Sequence, residues 1–194
     1  MTFTPLYSER LVLRPLAEDD AEDLALRRSD PTTAEFQAWT VPYSVERALE
    51  LIANVNANDG PVEGAWYQVA LEQKKSGKVI GDVAMFVEEG GRTALIGYTL
   101  HVWARGHWYA TEAAGRLVEY LVEDVGVHRV EASTDPSNLA SSRVLERLGF
   151  TLEGVKRESF WIDGHYSDDA IWGLLADEWR ERRGPATHRD PSVS

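Results

Sequence analysis

The order of apolar and polar positions along the chain predicts its elements before any residue is considered for chemistry. Residues 8–16 alternate, with Leu11 and Leu13 on one side, and run into Pro15, which cannot donate to a ladder and suits a sheet edge. Asp19 and Asp20 stand where a helix cap belongs, residues 21–28 read as a first helix, and Asp30-Pro31 stops it. An irregular stretch, 32–43, holds Phe36, Trp39 and Tyr43. Ser44 then caps a second helix with Val45, Leu49, Ile52 and Ala53 on one face, ended by residues 56–61. Residues 65–72 and 79–87 form a hairpin about the turn 74–78, and a turn at 88–92 leads into a strand at 94–102.

The second half alternates strand and helix. Residues 105–110 turn the chain, and 111–125 carry Ala114, Leu117, Val118, Leu121 and Val122 at helical spacing. A strand at 128–134, the turn Asp135-Pro136-Ser137-Asn138 and a helix at 139–148 follow, closed by Gly149. Residues 151–162 and 170–175 make a last hairpin, and from Arg180 the chain is polar, as expected of a frayed tail over 180–194. The pattern predicts one α/β (α+β) domain over residues 1–179, a mixed, mostly antiparallel sheet with helices on both faces.

Composition narrows the function. The chain has 194 residues, 43% of them hydrophobic, enough for one sizeable core. No apolar run approaches a membrane span, and the start lacks the basic patch and apolar stretch of a signal peptide, so a cytoplasmic protein without a membrane partner is expected. With no cysteine there is no disulfide framework, thiolate zinc site or cysteine nucleophile. No two histidines have the spacing of a helical metal pair, and no metal is expected. A formal charge of −12 opposes tight binding to nucleic acid and favours a cationic substrate.

The strand–turn–helix unit at 94–125 carries the first chemical signal. The first four N–H groups of a helix have no partner within it, and with the helix dipole they favour an anion. A phosphate-bearing ligand is therefore expected at the turn. The residues here resemble those of the GCN5-related N-acetyltransferases (GNAT), in the branch of the Rim-type ribosomal-protein N-terminal acetyltransferases. The resemblance lies in Ile96-Gly97-Tyr98, Gly106 through Ala113, His128-Arg129-Val130-Glu131-Ala132, and Asn138 through Phe150, in that order and spacing.

The resemblance implies a sheet of about seven strands with two central parallel strands splayed apart. It also implies acetyl-CoA as co-substrate, direct acetyl transfer to a primary amine, and a monomer or homodimer. The backbone of Leu100, His101 and Val102 is expected on the pantetheine arm. The turn Arg105, Gly106, His107, Trp108, Tyr109 and Ala110 is expected on the pyrophosphate, with Asn138, Ser142 and Arg143 as further cofactor contacts. The family's turn, R/Q-x-x-G-x-G/A, is met at Arg105 and Ala110, but Trp108 stands at the inner glycine. Either Trp108 keeps a negative φ with its indole turned away, or the grip on the cofactor is altered.

For catalysis, the resemblance implies that Ser141 faces the thioester sulfur; the tyrosine acid of many relatives is absent, with Leu145 in its place, so a leaving thiolate would need Ser141, Thr134 or water as its hydrogen-bond donor. Glu158, on the strand after Gly154, is the implied base, two residues from the register of the Rim-type glutamate, where Phe160 stands. The residue-level alternatives are helix capping for Asn138, bonding to their own backbone for the serines, and a solvated strand carboxylate for Glu158. An α-amine acceptor suits an enzyme with a weakly defined base. With pKa values of about 7.7–8.0 against about 10.4 for lysine, roughly a tenth of an α-amine is neutral at pH 7, and under a thousandth of lysine. A peptide or protein N-terminus is the expected acceptor. A small amine, an antibiotic or polyamine, is the alternative, and a non-catalytic CoA-binding sensor the reading from another class.

Overall fold

The computed structural model describes residues 2–162 and 164–184. Eight strands form one sheet: β1 (Leu6–Tyr7), β2 (Leu11–Pro15), β3 (Trp66–Gln73), β4 (Val79–Val87), β5 (Thr93–Leu100), β6 (Arg129–Thr134), β7 (Thr151–Ile162) and β8 (His165–Leu175). Their order across the sheet is β1-β2-β3-β4-β5-β6-β8-β7. Every neighbouring pair is antiparallel except β5 and β6. The predicted class holds, with the two-residue β1 added ahead of the expected first strand.

Side-chain alternation builds two layers on this sheet. On β3, β4 and β5 the residues Tyr67, Val69, Leu71, Val83, Met85, Ala94, Ile96 and Leu100 point to one face. There they meet Ala113, Ala114, Leu117 and Val118 of helix α4 (Tyr109–Tyr120) and Val144, Leu145 and Leu148 of helix α5 (Leu139–Leu148). The opposite face carries Ala70 and receives Leu24 and Ala25 of helix α1 (Ala21–Ser29) and Ala48 and Ile52 of helix α3 (Val45–Val55). Each of these core residues is essentially removed from water, and burying one large aliphatic side chain is worth about 1.5–3 kcal/mol.

Helix ends follow the chemistry of their caps. Ser44 Oγ accepts from Arg47 N–H at the start of α3, as its sequence predicts. Gly149 ends α5 at φ 94°, a left-handed conformation that costs glycine nothing, and Phe150 N–H closes the turn on Leu145 O at 3.0 Å. Asp20 departs from expectation. It sits at the cap of α1 without capping it, because its carboxylate is taken by Arg14 and by Ala17 N–H. Two further corrections concern helices. A short helix α2 (Pro31–Ala34) lies in the stretch expected to be irregular, and α6 (Ala176–Arg183) includes the first residues of the expected tail. Trp179 anchors α6 in the core, an apolar signal outweighed in the sequence by six charged neighbours. Residues 185–194 of that tail lie outside the described residues.

Candidate active site

The parallel pair β5 and β6 is joined at only three positions, Thr93↔Arg129, Ala94↔Val130 and Leu95↔Glu131. Beyond Leu95 the strands part, β5 staying with β4 up to Gly81↔Leu100 and β6 staying with β8 up to Thr134↔Ala170. The result is a wedge-shaped gap in the middle of the sheet. His101 N–H donates to Ile80 O at 2.9 Å, so the odd positions of this end of β5 are bonded to β4. The groups of Tyr98 and Leu100 then point the opposite way, into the gap. Of the three backbone positions expected on the pantetheine arm, Leu100 thus offers its N–H, while its C=O accepts from Arg105 Nε at 3.4 Å. The amide of His101 is not available: its N–H goes to Ile80 and its C=O to Ala104 N–H, at 2.9 Å. Val102 begins a short 3-10 turn, Val102–Ala104, that ends the strand.

The turn after it leads into α4. Gly106 has φ 79° and Trp108 φ 66°, so the glycine conformation expected at position 108 is present with tryptophan in it. Its indole is turned out, 60% exposed, with the Arg147 guanidinium 4.1 Å over the ring. No side chain caps α4, and its first intrahelical bond is from Glu112 N–H to Trp108 O. The amides of Tyr109, Ala110 and Thr111 therefore remain open, as an anion site requires. The side chains of the turn serve the scaffold. His107 O accepts from Arg10, Tyr109 OH is bonded to Gln73 Nε2 at 2.6 Å, and Arg105 bonds Thr33 Oγ1 at 2.7 Å and Thr32 Oγ1 at 3.2 Å. The Arg105 guanidinium is thus directed to α2 rather than free for a phosphate.

Across the gap, α5 begins beside the end of β6. Asn138 Oδ1 caps it by accepting from Ser141 N–H at 3.1 Å, and Ser142 Oγ donates to Asn138 O, so both make the local bonds that their residue types favour. Arg143 is exposed and has no partner among the described residues. Ser141 is different. Its Oγ lies 2.8 Å from Tyr98 OH, which also reaches Ser141 O at 3.2 Å, so one hydroxyl pair spans the gap from β5 to α5. Burial pushes the Tyr98 phenol far above its usual pKa, and the Ser141 bond only partly opposes this, so Tyr98 keeps its proton throughout the physiological range.

Tyr98 is the residue that the sequence reading passed over. Its signal was there: an even position of β5, between the core residues Ile96 and Leu100, carrying a hydroxyl that burial obliges to find a partner. Leu145, where many relatives have an acid, is fully buried in the core. Thr134 Oγ1 already accepts the Trp172 indole N–H at 3.2 Å.

Glu158 lies elsewhere. Between Lys156↔Asp169 and Phe160↔Ser167 three residues of β7 face one of β8, and in this bulge Glu158 has φ 50°. It is exposed, its own N–H is held by Asp168 Oδ1 at 2.9 Å, and its carboxylate has no partner among the described residues. In strand order β6 and β8 stand between β7 and the gap.

The profile of the acetyltransferase (GNAT) domain matches residues 10–151. The chain belongs to the GNAT acetyltransferase family. The uncharacterized N-acetyltransferase p20 of Bacillus licheniformis is 33% identical over 179 residues, covering 90% of this chain and 97% of that protein. The ribosomal protein uS5-alanine N-acetyltransferase of Escherichia coli is 26% identical over 190 residues, 92% and 94% of the two chains. Among solved structures, Mycobacterium smegmatis RimJ in complex with CoA-disulfide shares the fold with a TM-score of 0.78 at 24% identity, over 90% of this chain and 87% of that one. Spermidine N-acetyltransferase from Vibrio cholerae, in complex with CoA and spermine, does so with a TM-score of 0.75 at 22% identity, over 88% and 98%. This GNAT domain is an acyltransferase.

On the α1 side of the sheet the domain carries a polar cluster absent from the sequence reading. Arg27, 1% exposed, bonds Asp23 Oδ2 at 2.6 Å and Asp82 Oδ2 at 2.5 Å. Asp82 Oδ1 accepts from Thr99 Oγ1 at 2.9 Å, and Asp23 Oδ1 lies 2.7 Å from His101 Nε2. His101 stacks on Trp103 and lines a cleft of about 260 Å³ with Arg27, Ser29, Asp30 and Thr33. Among the described residues no group of three or more His, Asp or Glu side chains is placed to hold a metal ion.

Proposed function

We propose that this GNAT enzyme transfers acetyl from acetyl-CoA directly to a primary amine, and that its preferred acceptor is the α-amine of a peptide or protein N-terminus. The single observation that carries the reading is the three-position contact of β5 and β6, which leaves the edge groups of Tyr98 and Leu100 facing an open gap between strands. An extended amide-bearing arm fits such an edge, by the same bonds that pair strands. The open amides of Tyr109, Ala110 and Thr111 suit a pyrophosphate. With the exposed Arg143, these residues would hold acetyl-CoA, which supplies the acyl group as a thioester.

In this reading Leu100 N–H polarises the acyl carbonyl, and the Ser141–Tyr98 pair donates to the departing thiolate. A second hydroxyl behind the first makes Ser141 a better donor than a lone serine, because each bond polarises the next. Glu158 stays the base that the resemblance nominates; the α1 face offers another candidate, argued below. The net charge of −12 also favours polycationic small amines, which keeps a spermidine-like acceptor as the second reading. The experiment is a thiol-release assay with acetyl-CoA and a panel of amines, with mass spectrometry of the acceptor. Acetylation of an N-terminal peptide ahead of spermidine supports the first acceptor, the reverse order the second.

A further inference from the structure

We propose that His101, oriented by Asp23, is the base that takes the proton of the acceptor amine. The inference rests on the acetyl-transfer reading above and assigns that reaction a proton acceptor other than Glu158.

Strand geometry makes the first argument. Successive residues of β5 point to opposite faces, and at its free end Tyr98 points towards α5 while Thr99 and His101 point towards α1. The hydroxyl pair and the His101–Asp23 pair therefore flank the same stretch of free edge, Tyr98 to Leu100, from its two sides. A thioester lying along that edge would have a hydrogen-bond donor for its sulfur on one face and a proton acceptor for the incoming amine on the other. The cleft lined by His101 opens on the second face and gives an amine a way in.

Charge makes the second. Asp23 and Asp82 bring two negative charges to Arg27, which brings one positive charge, all joined by bonds of 2.5–2.7 Å. The cluster holds one carboxylate more than it holds guanidinium groups, and Asp23 is shared with His101, so positive charge formed on the ring during the reaction meets a carboxylate 2.7 Å from Nε2. The other charged groups near the cleft, Asp30 on its wall and Arg105 bonded to Thr33, add one charge of each sign and leave that balance unchanged. Asp82, buried like Arg27, is enough to hold α1 to the sheet, and Asp23, its side chain 32% exposed, is a second carboxylate at the same guanidinium. The second carboxylate, placed on an imidazole, is the arrangement that orients a histidine base and stabilises its protonated form.

The step balances. The amine nitrogen attacks the acyl carbon, a C–N bond forms and the C–S bond breaks. The proton leaving nitrogen goes to the His101 imidazole. The thiolate departs with a hydrogen bond from the Ser141–Tyr98 pair, whose hydroxyls keep their protons, and takes a proton from water; the proton on His101 neutralises the hydroxide so formed.

Two measurements test this. In the free protein, long-range nitrogen–proton NMR should show the proton of His101 on Nε2, facing Asp23, with Nδ1 bare; a proton on Nδ1 instead overturns the assignment. In turnover, an acceptor too weakly basic to be protonated between pH 5 and 9 has no titration of its own. The acid limb of kcat with that acceptor should persist in the wild type and vanish in His101→Gln. That variant should lose on the order of 10²-fold in kcat while its Kd for acetyl-CoA, by calorimetry, stays within about twofold. Asp23→Asn, as a positioning change, should lower kcat at unchanged KM for acetyl-CoA. Retention of more than half of kcat in His101→Gln overturns the proposal, as does a limb that vanishes in Glu158→Gln but not in His101→Gln. If His101→Gln does not fold, the NMR result and the Asp23→Asn kinetics decide. A wild type that acetylates no amine defeats the transfer reading itself, and this inference with it.

Discussion

Trp108 offers the sharpest stability test, because one residue combines a left-handed backbone with an exposed aromatic contact. At φ 66° and ψ 7° a residue with a Cβ costs roughly 1–2 kcal/mol relative to glycine. The Arg147 guanidinium at 4.1 Å over the indole returns part of this, about 0.5–1 kcal/mol for an exposed cation–π contact. Trp108→Ala loses the contact and keeps the backbone penalty, so it should destabilise the domain. Trp108→Gly also loses the contact but removes the penalty, less about 0.4–1 kcal/mol for the freer unfolded chain. Glycine should therefore exceed alanine by about 1 kcal/mol, with wild type and glycine nearly equal. At this chain length that is a melting difference of roughly 2–4 °C between the two variants, readable by calorimetry. The same variants report on the ligand. Acetyl-CoA should bind Trp108→Gly as well as or better than wild type, since glycine keeps the turn and its open amides while the indole's contact is with Arg147. Alanine melting at or above glycine would refute the strain argument, and a tenfold loss of affinity in Trp108→Gly, about 1.4 kcal/mol, would make the indole a ligand contact.

Other outcomes follow from particular bonds. Glu112 is partly buried, which raises its carboxyl pKa, but the bonds from Arg10 N–H, Ser8 Oγ and Arg10 Nε outweigh this and hold it below the ordinary range. A depressed folded pKa gives stability that is present above the unfolded value and lost as pH falls through the folded one. Glu112→Gln should thus cost about 1–2 kcal/mol at pH 7, and its difference from wild type should shrink below about pH 4; a constant difference in urea melts across that range would contradict the assignment. Tyr98→Phe and Ser141→Ala should each lower kcat several-fold, and their double variant should fall short of the summed loss by about 0.5–1 kcal/mol, because one bond joins them. Full additivity would separate the two hydroxyls. Arg105→Ala should weaken acetyl-CoA binding by releasing Thr32 and Thr33 and with them the α2 side of the turn; calorimetry showing unchanged affinity and unchanged stability would remove that role.

The strands and helices that build the core were legible because burial imposes a period. Residues 79–87, 139–148 and 151–162 run in the structure to the same ends that their patterns and turn residues mark. The shortest elements, β1 and α2, carry too few positions to show a period, and α6 hides one anchoring tryptophan among charges. Within the site, backbone features were the readable part: the open start of α4, the asparagine cap and the glycine-like turn are local and follow from residue types. What pairs across the sheet was not. The Tyr98–Ser141 bond and the Asp23–His101 and Arg27–Asp82 bonds join residues 43, 78 and 55 positions apart, and no local pattern encodes such a meeting. His101 was expected to act through its backbone, yet its amide completes the ladder with β4 and only its ring is free to do chemistry. Glu158 was nominated by the resemblance, and the strand pattern around it gave no sign of the bulge between Lys156 and Phe160 in which it lies.

The central claim is acetyl transfer to an amine at the gap between β5 and β6. Its most direct test is single-turnover mixing of the purified protein with acetyl-CoA and an N-terminal peptide, following free thiol and acetylated peptide together. One thiol released per acetylated α-amine, with both signals falling several-fold together in Ser141→Ala, is the predicted result. Thiol release without acetylated peptide or any other acetylated amine, or no release from a protein that binds acetyl-CoA by calorimetry, would contradict it.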